Sequence, residues 1–432
     1  MQAVVRRPKS LRGSITPPGD KSISHRAAIF NAIADGEARV DNYGPGADCA
    51  STLRILRALG TEISSSGPSF VIRGTRTDRG TGLHEPGDVL NAGNSGTTTR
   101  LMAGVLAGQP FLSVLSGDRS IRSRPMARIV EPLRQMGAQI DGRDGGRLAP
   151  LTFQGGNLHG IRYTMPVASA QVKSALLLAG LHADGETVLD QPALSRDHTE
   201  LMFRAMGAEV IEDGLTVSVR PGTLRAIDVV VPADISSAAY WLVAGVCHPE
   251  AEVRVNGVGV NPTRTGILDA LSAMGADVRV ENERDEGGER VADLVARSSK
   301  LEAGEFGGDL IPRLIDEVPV LALAACFAKG TTVIRDAAEL RVKESDRIRA
   351  TARELSRLGA HVEELDDGLA ITGGRKLTGA AGRSYGDHRI AMTLGVAGLL
   401  ASGKTTISGA ETASVSYPSF WDDLRELGAT RS

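Results

Sequence analysis

Leu133-Arg134-Gln135-Met136-Gly137-Ala138-Gln139-Ile140 is the stretch that decides the fold. Leu133 and Met136 are three apart, the spacing of one helix face. Gly137 then supplies the preferred stop, and Ala138-Gln139-Ile140 begins to alternate as a strand does. The same reading fits Leu56-Arg57-Ala58-Leu59-Gly60-Thr61-Glu62-Ile63. It returns at Phe203 to Val210, Leu271 to Val278 and Leu355 to Val362, and closes the chain as Leu424-Arg425-Glu426-Leu427-Gly428-Ala429. The glycines recur at intervals of roughly 70 to 85 residues, so six units of ~72 residues would fill the chain.

A second pattern lies between these motifs. A Ser-, Thr- or Asp-rich start opens a helix of small residues, and a short turn leads into a β-branched strand. Examples are Ser22 to Ala34 before Gly36-Glu37-Ala38-Arg39-Val40, and Ser169 to Ala183 before Gly185-Glu186-Thr187-Val188-Leu189. Asn94 to Leu106, Ser236 to Val246, Val318 to Lys329 and Arg389 to Ser402 repeat it. These helices keep no polar face, which predicts burial on all sides. Each unit is thus α/β, and two lobes of three units are expected. Val229-Val230-Val231-Pro232 marks the crossing from the third unit to the fourth.

Composition narrows the function. The 432 residues carry 49 Lys+Arg against 52 Asp+Glu, a formal charge of -3, with 41% hydrophobic and 23% charged residues. That describes a folded globular chain. It lacks the basic field that general nucleic-acid binding needs, and eight Phe, five Tyr and two Trp make a poor base-stacking platform. Cys49, Cys247 and Cys326 form neither a metal-ligand spacing nor an even disulfide set, so no metal is expected and a reducing cytoplasm is. No apolar run approaches a membrane span.

Several segments carry chemistry. Pro17-Pro18-Gly19-Asp20-Lys21-Ser22-Ile23-Ser24-His25-Arg26 breaks the chain and opens a helix whose free N–H groups would sit beside two cations. Asn91-Ala92-Gly93-Asn94-Ser95-Gly96-Thr97-Thr98-Thr99-Arg100 resembles a phosphate-cradling turn, and Gly117 to Pro125 follows it with three arginines. Together they point to a polyanionic ligand. Arg341-Val342-Lys343-Glu344-Ser345-Asp346-Arg347 offers a carboxyl among cations, and Tyr385-Gly386-Asp387-His388-Arg389 opens the last small-residue helix. Asp316 and Glu317 precede a buried helix, a costly place for carboxylates unless they are exposed, paired or functional. Gly398-Leu399-Leu400-Ala401-Ser402-Gly403-Lys404-Thr405 fits the P-loop letters, but a helix leads into it and a strand follows, the reverse of a P-loop. It is read as a repeat turn.

In order, these segments closely resemble the 5-enolpyruvylshikimate-3-phosphate synthase family, the 3-phosphoshikimate 1-carboxyvinyltransferases of aromatic amino acid biosynthesis. The likeness covers nearly the whole chain. It includes Gly19 to Arg26, Asn94-Ser95-Gly96-Thr97, Ser123-Arg124-Pro125-Met126, Ser169-x-Gln171, Asp234-x-Ser236-Ser237-Ala238, Arg341 to Arg347 and Asp387-His388-Arg389. The resemblance implies a two-lobed α/β fold of six βαβαββ repeats, helices inside and sheets outside. Residues 14–233 would form one lobe and 1–13 with 234–432 the other, with the active site in the cleft.

It further implies transfer of the enolpyruvyl group of phosphoenolpyruvate to the 5-hydroxyl of shikimate 3-phosphate, without a cofactor, in a cytoplasmic monomer for which glyphosate is a candidate inhibitor, with sensitivity left open by the sequence. Lys21, Gly96, Arg124, Gln171, Arg347 and Arg389 would take phosphoenolpyruvate. Lys21, Ser22, Arg26, Ser169, Gln171, Ser195, Asp316 and Lys343 would take shikimate 3-phosphate. Asp316 would accept the hydroxyl proton, and Glu344 and Lys21 would serve the methylene carbon. Beside anionic substrates Lys21 and Lys343 are expected to keep their protons.

The chain departs from many members at Ala170, Glu339, Val415 and Ser416, and Gly96 is not the Ala associated with glyphosate tolerance. UDP-N-acetylglucosamine enolpyruvyl transferase shares the implied fold, but it carries a Cys in the loop equivalent to Ser116 to Pro125, where this chain has none. A catalytically idle relative would be expected to have lost Asp316, Glu344 or Lys21, and all three are present.

Overall fold

The computed structural model describes residues 1–67, 69–76, 81–286 and 288–428. Ala429, the last residue of the sixth motif, lies outside them. The chain divides into two compact units, Gly19–Val231 and the pair Met1–Pro18 with Pro232–Ser432.

In the Gly19–Val231 unit one repeat is built as follows. Strand Leu90–Asn91 leads to helix Gly96–Leu106, strand Ser113–Ser116, helix Ala127–Gln135, and strands Ile140–Arg143 and Leu148–Phe153. Leu90–Asn91 runs parallel to Ser113–Ser116 because a helix crosses between them. Leu148–Phe153 then pairs antiparallel with both Ser113–Ser116 and Ile140–Arg143. Arg162–Thr164, Thr187–Asp190, Thr216–Val219 and Val210–Asp213 reproduce that order. The first repeat lacks a parallel strand of its own. Val229–Val230, from the end of the unit, fills the place beside Glu37–Asp41.

The other unit follows the same plan. Leu11–Ile15 supplies the parallel strand beside Ala251–Gly259, so the N-terminal segment of this unit extends through Pro18 rather than stopping at residue 13. In the sixth repeat Gln2–Arg6 pairs antiparallel with Lys404–Ser408, taking the place of a hairpin. Glu305–Phe306, Thr331–Ile334, Leu369–Thr372 and His361–Glu364 form the intervening four-stranded sheet.

The small-residue helices are buried all round. Every residue of His388–Leu400 is buried, as is every residue of Gly96–Leu106 and Val318–Ala325. They form the middle of two separate cores, one per unit. The motif glycines behave as their position demands. Gly60, Gly137, Gly207, Gly275 and Gly359 all have φ between 80° and 99°, the left-handed region that ends a helix without a Cβ clash. The P-loop look-alike is a helix-to-strand turn: the helix ends at Leu400, Gly403 has φ 85°, and strand Lys404–Ser408 follows. No helix among the described residues is long and apolar enough to cross a membrane.

Candidate active site

The start of each small-residue helix needs acceptors for its free N–H groups, and short polar side chains supply them. Asp20 accepts from the N–H of Ile23 at 2.9 Å, Ser95 from Thr98 at 3.1 Å and Ser169 from Val172 at 3.5 Å. Asp234 accepts from Ser236 at 2.7 Å and Asp387 from Arg389 at 2.9 Å. Lys21, Ser22, Gly96, Ser169, Gln171 and Arg389 sit at or beside these caps, and the candidate residues fall into two groups, one in each unit.

In the Gly19–Val231 unit the groups interlock. Lys21 meets Asp48 at 3.0 Å, and the backbone carbonyl of Asp48 accepts from the hydroxyl of Thr98 at 3.4 Å. Thr97 accepts from the Gln171 amide at 2.9 Å, while Gln171 Oε1 accepts from Arg100 at 2.5 Å. Gly96 lies against two guanidinium groups. A Cβ there would stand 2.8 Å from Arg100 Nη1 and 2.9 Å from Arg124 Nη1. Arg124 itself donates to the Ser120 hydroxyl at 3.2 Å.

Arg26 is buried and fully engaged as a scaffold. It donates to Thr199 Oγ1 and Ser174 Oγ, both at 2.7 Å, and to the Ser22 carbonyl at 2.9 Å. Arg196 reaches Ser22 Oγ at 3.2 Å, and Ser195 donates its hydroxyl to Gln191 at 2.7 Å. The carbonyl of Ala170 accepts from the Ser174 hydroxyl at 2.6 Å. Beneath Lys21, His25 contacts Thr52 at 2.7 Å, and Thr52 contacts Thr98 at 2.7 Å. Burial first, then Lys21 and Arg26, hold His25 well below its usual pKa, so the imidazole is neutral.

In the other unit the centre is Arg347, the first residue of helix Arg347–Arg357. It donates through Nε to Asp387 at 2.8 Å, through Nη1 to Asp316 at 3.1 Å and through Nη2 to Glu344 at 2.6 Å. Burial works against its charge, but Asp387, Glu344 and Asp316 outweigh it and raise its pKa well above the ordinary value. Arg389 is also buried, and its Nε has no hydrogen-bond partner among the described residues. Burial again opposes the charge, while Tyr240, Asp316, Asp234 and Glu317 raise its pKa.

Lys343 lies 3.7 Å from Glu339. Burial is the larger influence, and it lowers the lysine pKa against Asp316 and Glu339. Ser416 is buried.

The paired carboxylates at the head of Val318–Ala325 divide. Asp316 turns to Arg347, whereas Glu317 is buried against Ser236 and within 3.8 Å of Arg264. Burial raises the Glu317 pKa, with Arg264 opposing. The pairing of Glu317 with Ser236 and Arg264, the Arg100–Gln171 contact, and Asp48, Arg196 and the Lys173–Glu200 pair are not readable from the sequence. Each partner is distant in the chain, and no local pattern announces it. No cluster of three His, Cys, Asp or Glu suited to a metal occurs among the described residues.

Each unit offers cations and capped helix N-termini for anions, and the Pro232–Ser432 unit adds carboxylates held on a buried guanidinium, a set suited to proton transfer. Comparison with known proteins agrees with that chemistry. Residues 5–424 match the family model described as EPSP synthase (3-phosphoshikimate 1-carboxyvinyltransferase). A 3-phosphoshikimate 1-carboxyvinyltransferase of Gloeobacter violaceus is 60% identical over 422 residues, 97% of each chain. One from Geobacillus kaustophilus is 54% identical over 97% of this chain and 98% of its own. An EPSP synthase structure from Acinetobacter baumannii superposes with a TM-score of 0.86 at 43% identity, covering 98% of this chain and 97% of the other. The enolpyruvyl transferase NikO of Streptomyces tendae shares the fold, with a TM-score of 0.79 at 21% identity.

Proposed function

The chain belongs to the EPSP synthase family, and from that premise we propose how its residues divide the work. The activity is transfer of the enolpyruvyl group of phosphoenolpyruvate to the 5-hydroxyl of shikimate 3-phosphate, with release of inorganic phosphate. Both substrates carry a phosphate and a carboxylate, so binding must neutralise several charges at once.

Lys21, Gly96, Arg124, Gln171, Arg347 and Arg389 hold phosphoenolpyruvate. Lys21, Ser22, Arg26, Ser169, Gln171, Ser195, Asp316 and Lys343 hold the acceptor. Arg26 serves chiefly by fixing Ser22, Ser174 and Thr199. Asp316 accepts the proton of the 5-hydroxyl as its oxygen attacks C2 of phosphoenolpyruvate. Glu344 or Lys21 delivers a proton to the methylene carbon, giving the tetrahedral ketal. Loss of that carbon's proton and of phosphate then restores the double bond.

What supports this division is that Asp316 and Glu344 share one guanidinium, that of Arg347, at 3.1 and 2.6 Å. An incoming anion that takes Arg347 frees both carboxylates for proton transfer. A cytoplasmic, monomeric enzyme is part of the same reading.

The test is phosphate release from purified protein given shikimate 3-phosphate, phosphoenolpyruvate, or both. Release that requires both is expected. Release with UDP-N-acetylglucosamine in place of shikimate 3-phosphate would move the protein to the rival activity. No release with either acceptor would leave an idle relative.

A further inference from the structure

We propose that the buried Lys173–Glu200 ion pair is a positioning device for the Ser195–Arg196 segment and thereby sets affinity for the phosphorylated acceptor. The inference rests on the reading that Ser195 belongs to the shikimate 3-phosphate seat.

Lys173 Nζ and Glu200 Oε1 stand 2.5 Å apart, with side chains 1% and 0% exposed. Lys173 belongs to helix Ala170–Gly180, whose start carries Ser169 and Gln171. Glu200 lies in the first turn of helix His198–Ala205. Between strand Thr187–Asp190 and that helix the chain has no regular structure, and this is where Ser195 and Arg196 sit. A buried carbonyl in such a loop needs a donor. Lys173 supplies it, donating to the Ser195 carbonyl at 3.2 Å.

The pair is an unpromising device for stability alone. Burial raises the Glu200 pKa despite Lys173, and Asp197 adds to the rise. A well-packed apolar pair often stabilises a core as well as a buried ion pair does. The two helices are also joined independently. Arg26 bridges Ser174 and Thr199, and those two hydroxyls meet at 2.6 Å. What Lys173 adds to that attachment is its hold on the Ser195 backbone. From there Ser195 is tied to Gln191, and Arg196 to Ser22, a candidate acceptor ligand. Loss of the pair should therefore release one wall of the acceptor seat and leave the phosphoenolpyruvate residues in place.

The experiment compares Lys173→Met/Glu200→Leu with Lys173→Gln/Glu200→Gln in the full-length protein. The apolar pair keeps the volume and removes the donor. The amide pair removes the charges and keeps a donor for the Ser195 carbonyl. The apolar variant is expected to stay folded, with KM for shikimate 3-phosphate raised about tenfold or more, and with KM for phosphoenolpyruvate and kcat within about threefold. The amide variant is expected to recover most of that affinity.

An apolar variant with unchanged acceptor KM overturns the inference, as does a uniform loss in both KM values and kcat. If the apolar variant does not fold, the amide variant and Glu200→Gln decide by equilibrium binding of shikimate 3-phosphate. Weakened binding in Glu200→Gln with recovery in the amide pair supports the inference, and unchanged binding in both overturns it. Failure of the functional reading would appear separately, as absence of acceptor-dependent phosphate release in the unsubstituted protein, and it would remove the inference with it.

Discussion

Arg347 donates its Nε–H to Asp387 at 2.8 Å, and Asp387 in turn caps the next buried helix by accepting the N–H of Arg389 at 2.9 Å. One carboxylate therefore fixes two candidate phosphoenolpyruvate arginines, one through its side chain and one through its backbone. Asp387→Asn keeps the shape and the cap but removes the charge. Asp387 is the most buried of the three carboxylates on Arg347, and Asp316 and Glu344 still face the guanidinium, so the loss is expected at the low end for a broken buried pair, about 3 kcal/mol, with KM for phosphoenolpyruvate raised about tenfold. Denaturant unfolding and steady-state kinetics measure the two effects. A variant as stable and as active as the parent would show that Asp316 and Glu344 suffice to hold Arg347.

Asp316→Asn tests the proton acceptor. The amide keeps a neutral acceptor for Arg347 but cannot take the 5-hydroxyl proton. Turnover is expected to fall by about 100-fold or more, the scale of a lost general base, while shikimate 3-phosphate binding changes only a few-fold. Single-turnover kinetics with calorimetric binding separates these. Turnover close to that of the parent would take the role from Asp316.

Gly96→Ala probes the donor seat. The added methyl would meet Arg100 Nη1 at 2.8 Å and Arg124 Nη1 at 2.9 Å, the ends of long side chains that can yield. The fold should survive, while the displaced guanidinium groups hold their anion less well. KM for phosphoenolpyruvate is expected to rise several-fold with little change in melting temperature, and glyphosate inhibition should weaken in parallel. An unchanged KM would mean that both arginines shift without cost to the site.

Lys343 predicts a pH dependence. Burial lowers its pKa from the ordinary 10.5, with Asp316 and Glu339 opposing and Arg347 adding to the fall. A lowered lysine pKa means that the ammonium is lost earlier as pH rises. The kcat/KM for shikimate 3-phosphate should therefore decline on the alkaline side before an ordinary lysine would titrate. Lys343→Arg should move that decline to higher pH, because guanidinium keeps its proton. A pH profile that is the same in both proteins would show that another group sets the alkaline limb.

The repeat, the helix stops and the buried character of the central helices were all legible in the sequence. Each depends on neighbours within one or two turns: Leu133 and Met136 on one face, Gly137 free to take φ 99°, Ser95 within reach of the Thr98 N–H. The candidate residues were named from the likeness of their ordered motifs to the family, and several of those motifs lie at such helix starts.

The tertiary structure decided what those residues touch. Arg347 gathers Asp316, Glu344 and Asp387, two of which are 31 and 40 positions away. Glu317 finds Ser236 across 81 positions, and Lys173 finds Glu200 in another helix. The first sheet of each unit likewise borrows a strand from far along the chain, Val229–Val230 in one and Leu11–Ile15 in the other. Local backbone preference acts over a few residues. Desolvation and charge pairing act through space, so the depressed pKa of Lys343 and the loop held by Lys173 exist only once the chain has folded around them.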